Sequence, residues 1–237
     1  MKKLIAILLV VSVLFTFASC GGNEEEKTIN SNDIVENNDN QQNIENSGVV
    51  NNKPNIPAEL TTDFVKGYPE TDASQFEVTE TEDSVTISSY IGSDEIVVVP
   101  EQINGKPVTV IDIRAFAQQN SLRAIKLANS IKEIKSEAFF NCSNLEIIVC
   151  GACLEIVEDY GFAAGTALKF VELNDGLKEL GFLAISGDLL TEIYVPASVE
   201  KIGDGAFPIR DDFKIICEAG SYAETYAKDN NLIVEIR

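Results

Sequence analysis

Histidine is missing from the 237-residue chain. Its absence excludes Ser-His-Asp and Cys-His nucleophile systems and every metal site that requires imidazole. Positive charge is scarce: 18 Lys and Arg stand against 38 Asp and Glu, a net charge of −20. The deficit runs through both halves, with 11 acidic and 3 basic residues over 21–75 and 27 acidic and 13 basic over 76–237. Nucleic-acid binding rests on a clustered basic surface, so no nucleic-acid partner is expected. Solubility outside the cell accounts for most of the acidity. Carboxylates abound and a glycosidase needs only two, but they fall mostly at exposed positions of a repeat, with no sign of a cleft. No catalytic residue and no cofactor is expected.

What the chain does have is a period. Phe116, Phe139, Phe162, Ile185 and Phe207 follow one another at steps of 23, 23, 23 and 22 residues. Around that column run others at matching spacing: Leu122, Leu145 and Leu168; Ile125, Ile148, Val171, Ile193 and Ile216; Leu127, Cys150, Leu173 and Val195; Ile131, Leu154, Leu177 and Val199. Each unit reads as a short strand, a tight turn and a return arm that cannot bury its apolar side alone, so stacked copies must share one core. The fourth unit, "LKELGFLAISGDLLTEI", has Ile185 in the phenylalanine column and lacks one residue. A local kink is expected there.

Segments such as "VTVIDIRAFAQQNSLRAIKLANS" and "IKEIKSEAFFNCSNLEIIVCGAC" resemble the BspA-type leucine-rich repeats of bacterial surface proteins, over roughly Val85 to Arg237. The resulting expectation is a β-rich leucine-rich-repeat solenoid of the α/β repeat class, with five to six rungs of 22–23 residues. A β-hairpin from "FEVTE" and "SVTISSY" should open it. A helix over "SYAETYAKDNN", with Ser221 as N-cap and Glu224 three residues on, followed by a strand over Leu232 to Ile236, should close it. The resemblance implies an adhesion or interaction protein, not an enzyme.

The N-terminus indicates destination. Lys2-Lys3, an apolar run from Leu4 to Phe17 too short to span a bilayer, and Ala18-Ser19-Cys20 have the form of a secretory signal. Small residues before Cys20 and Gly21-Gly22 after it resemble a bacterial lipoprotein signal, which implies acylation of Cys20 and a membrane-anchored, extracytoplasmic protein. The Asn- and Glu-rich stretch that follows shows no helical or strand period and reads as a disordered tether. The expected division is 1–19 signal peptide, 20–75 lipidated tether, 76–107 N-terminal cap and first rung, 108–217 repeats and 218–237 C-terminal cap.

Cys150 and Cys153 have the C-x-x-C redox spacing, but the register puts Cys150 at an inward strand position and Cys153 in a turn, not at the helix N-terminus that lowers a thiol pKa. A shared zinc site with Cys217 would have to reach across three rungs, roughly 14 Å at strand spacing. Surface is what remains. In the strand of each unit side chains alternate, giving outward columns Ala124, Ile147, Phe170, Glu192, Ile215 and Lys126, Val149, Glu172, Tyr194, Cys217. Ile147, Val149, Phe170, Glu172, Tyr194 and Ile215 are therefore the candidate partner-binding residues, unless a cap or second copy covers them. The expected partner is an extracellular protein; the alternative is a glycan stacked on Phe170 and Tyr194 beside Glu172 and Glu192.

Overall fold

The computed structural model describes residues 53–237. The expected signal peptide, Cys20 and the tether up to residue 52 lie outside the described residues. In chain order the elements begin with helix α1 (Thr62–Lys66), then β1 (Phe76–Glu80), β2 (Val85–Tyr90), β3 (Ile96–Val98), β4 (Gln102–Ile103) and β5 (Lys106–Ile111). There follow β6 (Ala124–Lys126), β7 (Glu133–Ile134), β8 (Ile147–Val149), β9 (Ile156–Val157), β10 (Phe162–Gly165) and β11 (Phe170–Glu172). The last elements are β12 (Glu179–Leu180), β13 (Ile185–Gly187), β14 (Glu192–Tyr194), β15 (Lys201–Ile202), β16 (Lys214–Cys217), helix α2 (Tyr222–Asp229) and β17 (Ile233–Ile236).

These strands wind into a β-solenoid of about seven turns. The column count gives five to six; β3 and β17 each take a further rung place on the strand-lined side. One flank is the sheet β1-β2-β5-β7-β9-β12-β15, antiparallel only in the opening hairpin of β1 and β2, with β4 folded back on β5. The strand-lined side is β3-β6-β8-β11, continued after an interruption by β14-β16-β17. Sequence dictates this winding: the inward positions are apolar in every unit and the corner positions accept left-handed backbone. Arg114, Glu137, Tyr160 and Leu183, each two residues before the phenylalanine column, have φ of 59°, 59°, 58° and 48°, and Gly205 takes the same corner at 60°. A left-handed conformation costs a non-glycine residue roughly 1–2 kcal/mol, so the core beneath these corners must offset that cost in each rung.

The core supplies it. Phe116, Phe139 and Phe162 are wholly buried; Tyr90, Phe116 and Phe139 stack at ring-centroid distances of 5.3 and 4.9 Å, and Phe162 continues the row at 5.7 Å with its ring tilted by 52°. Cβ at Gly151 would sit 2.0 Å from the Ala128 carbonyl oxygen, so this glycine is what lets successive turns approach. At the far end Ser221 Oγ accepts from Glu224 N–H at 3.2 Å, and the Glu224 carboxylate accepts from Gly220 N–H. That reciprocal pairing starts α2, which lays Ala223, Tyr226 and Ala227 against the core.

The kink expected in the fourth unit is present as a break in the sheet. β8 pairs with β11 and β14 with β16, but among the described residues no ladder joins β11 to β14. The unit is one residue short, and Ile185 ends the aromatic stack.

Candidate functional site

The strand-lined side divides into a covered half and an open half. Over β3, β6 and β8 lies the N-terminal segment. Thr61 Oγ1 accepts from Phe64 N–H at 3.2 Å and starts α1, which presents Val65 and its neighbours to the sheet. Leu60, Val65 and Tyr68 form one apolar cluster with Ile96, Val98, Ala124, Ile147 and Val149, joined by Ile56 and Phe64. Arg123 fastens the segment's start, donating to the Ala58 carbonyl at 2.7 Å and the Pro57 carbonyl at 3.3 Å. Thr71 fastens its return: its N–H donates to Val98 O at 2.9 Å, and its Oγ1 accepts from Val98 N–H at 3.1 Å. Thr71 thereby satisfies the free edge of β3.

Two expectations are corrected here. The tether does not extend to residue 75, because residues 53–75 are folded. The signal is short: Phe64, Val65 and Tyr68 follow the Thr61 N-cap at helical spacing, with Leu60 just before it. Ile147 and Val149 point outward from β8 as expected, yet they are 1% and 3% exposed, because this segment covers them.

The third correction concerns the last rung. β16 aligns Ile215 with Ile193 and Ile216 with Tyr194, so Ile215 and Cys217 face the core and are fully buried. The step from Ile193 is again 22 residues, which reverses the assumed alternation. Lys214 and Ile216 are the outward residues.

Phe170, Glu172 and Tyr194 remain on the surface and line one crevice at the sheet break. Phe170 is 53% exposed. It lines a crevice of about 330 Å³ with Thr62 from α1, Leu173, Glu192 and Tyr194. The β11 wall and the β14 wall each carry backbone groups that the missing ladder leaves facing the gap. Val171 and Leu173 beneath it are 9% and 7% exposed, against 0% for Ile125 and Leu127 at the equivalent places two rungs earlier. Charges around the rim are compensated: Lys66 meets Glu172 at 2.7 Å, and Lys214 bridges Glu192 at 3.1 Å and Glu235 at 2.8 Å. The Arg237 guanidinium lies 3.9 Å from the Tyr194 ring centroid, a cation–π contact that fixes the ring.

A polar column runs beside this site. Glu146 accepts from Arg123 and Lys169 at 2.8 and 2.9 Å. Burial alone would raise the Glu146 carboxyl, but its bonds to Lys169 and Arg123 outweigh burial and hold it below its ordinary value. Cys150 is a free thiol that burial pushes up. Cys142, whose Sγ–H donates to the Phe116 carbonyl, is pushed by burial up to about 11. Among the described residues no helix is long and apolar enough to cross a membrane.

Comparison with known proteins agrees with this architecture. Residues 100–212 match the family described as BspA type leucine rich repeat region, in six copies. The crystal structure of a leucine-rich repeat protein from T. pallidum is similar at 29% identity and a TM-score of 0.60, over 62% of this chain and 71% of that one. A leucine-rich repeat protein from Bacteroides ovatus is similar at 26% identity and a TM-score of 0.55, over 63% of this chain and 43% of that one. No curated protein matches.

Proposed function

Since the chain belongs to the BspA-type leucine-rich repeat family, we propose that it is a binding protein displayed outside the bacterial cell, holding an extracellular protein in the crevice between β11 and β14. Secretion by the segment 1–19 and acylation at Cys20 place it there, with the membrane reached through the lipid. Binding, not catalysis, is its role. The observation that carries the reading is the break in the ladder, which leaves Phe170 half exposed beside Tyr194 where every earlier rung is sealed.

Hot-spot residues in interfaces are enriched in aromatics that fill desolvated pockets, and a crevice of about 330 Å³ is large enough for one bulky side chain of a partner. A glycan is the weaker occupant, because Arg237 already takes one face of Tyr194 on which a sugar would stack. The test is capture of extracellular proteins by the immobilised chain, beside a glycan array, with Phe170→Ala plus Tyr194→Ala as the comparison. The double variant should lose at least tenfold in affinity for the captured partner, since hot-spot aromatics carry about 2 kcal/mol or more. Unchanged capture by the double variant, or binding confined to the glycan array, would refute the assignment.

A further inference from the structure

The two ends of the strand-lined side are treated differently. At the first rung Thr71 occupies the edge of β3 with a donor and an acceptor. At the last rung, among the described residues, no strand or side chain pairs with the outer edge of β17, which is joined to β16 alone. Natural edge strands are blunted by proline, lysine, a bulge or a covering segment. Ile233–Ile236 has none of these; it is a short strand with one charge, Glu235, which Lys214 compensates, and Ile233 and Ile236 are 48% and 45% exposed.

The backbone phase of that edge follows from one bond. Arg237 N–H donates to Cys217 O at 3.1 Å, so residues of that parity in β17 turn their polar groups toward β16. In a parallel ladder the intervening residues turn theirs the other way. The open edge thus presents the N–H and C=O of Val234 and of Ile236 and the C=O of Leu232, while Leu232 N–H is already taken by Ala227 O.

We propose that this edge pairs antiparallel with the same edge of a second copy, about a two-fold axis through Val234. In that register each Val234 exchanges N–H···O=C bonds with the second copy's Val234, and each Ile236 N–H meets the second copy's Leu232 C=O. Four bonds are thus formed about the axis, and the Ile236 C=O, whose opposite donor Leu232 N–H is taken by Ala227 O, stays open to water. Side chains agree: Ile236 lies opposite Leu232, and Glu235 lies opposite Ile233, not opposite its own like charge. Glu235 is further compensated by Lys214 at 2.8 Å. Charges farther than about 8 Å from the edge are screened at physiological ionic strength. Self-complementarity of this kind is what a closed two-fold interface requires. The proposal is independent of the crevice.

The test uses the full chain in an expressing bacterium. Hydrogen-bonded antiparallel neighbours have Cα atoms about 5.5 Å apart, within the range a disulfide spans. Val234→Cys should therefore give a reducible species of twice the mass on a non-reducing gel, absent from the parental chain. Ile236→Cys should give none, because its two copies sit four residues out of register, roughly 13 Å apart. If Val234→Cys fails to accumulate, Ile233→Cys combined with Glu235→Cys, at two exposed positions that face each other across the axis, should give the same dimer. A monomeric Val234→Cys whose thiol reacts with maleimide would overturn the proposal. So would its crosslinking to a different protein, which would make the occupant a foreign strand.

Discussion

Ile147 and Ile148 are neighbours on β8 whose side chains point to opposite faces, yet they are 1% and 0% exposed. In a bare solenoid Ile148→Ala would be costly and Ile147→Ala nearly neutral. With the N-terminal segment docked, both should cost about 2–5 kcal/mol, the range for an isoleucine truncated in a packed core. Ile147 belongs at the lower end, because its cover is one short helix that can settle into the space. At roughly 2–4 °C per kcal/mol for a domain of this size, Ile147→Ala should lower the melting temperature by about 4–8 °C. Val65→Ala attacks the same contact from the other side. If the segment is the cover, the two changes should be non-additive by about 0.5 kcal/mol or more, as for contacting residues. Thermal melts of the single and double variants supply the cycle, and limited proteolysis between residues 53 and 70 supplies a second readout. An Ile147→Ala melt within 1 °C of the parent, with strictly additive effects and protection that does not change, would show that the segment does not hold this face.

Two other outcomes are expected. The Glu146 carboxyl is held below the value of 4.5 that an unperturbed glutamate has, so its stabilising contribution is complete above that pH and is lost as pH falls through its lower folded value; Glu146→Gln should flatten the decline of melting temperature with acid, and an identical pH profile would refute the pairing. Cys20→Ser should move the protein from the membrane fraction to a soluble or uncleaved form, and unchanged fractionation with unchanged lipid mass would show that Cys20 is not the anchor.

The winding was legible because it is written many times. A column such as Ile125, Ile148, Val171 and Ile193 survives the loss of any one member, and period fixes rung, face and neighbour together. What was hidden was whatever occurs once. The outward column failed at Ile215 because a single missing residue inverts every later side chain when the alternation is two. The docked segment failed for a different reason. Leu60, Phe64, Val65 and Tyr68 carry helical spacing over one turn and a half, and acidic and Asn-rich neighbours drown so short a signal. Burial of Ile147 and Val149 then could not be read from β8 at all, because it depends on a segment some eighty residues earlier in the chain.

The step before the one that defeated the register, also 22 residues long, coincides with the crevice. A solenoid repeats its interface at each rung, so a ligand surface requires something that breaks the repetition. Here the docked segment seals the side as far as Lys66, which reaches Glu172 on β11, and the C-terminal rungs seal it from Tyr194 onward, with Arg237 laid on the ring. Between them the ladder is interrupted, and Val171 under the gap is the most exposed of its column over the rungs from β6 to β14, at 9% against 0% for Ile125 and Ile148 and 2% for Ile193. Closing the gap by direct pairing would satisfy the backbone groups on both walls, as it does between β14 and β16. The cost of leaving those groups unpaired is met by water in the free protein. A partner that expels the water recovers it only by offering donors and acceptors of its own. On the proposed reading, a partner of this crevice would be selected by polar matching along the two walls, with Phe170 supplying apolar contact.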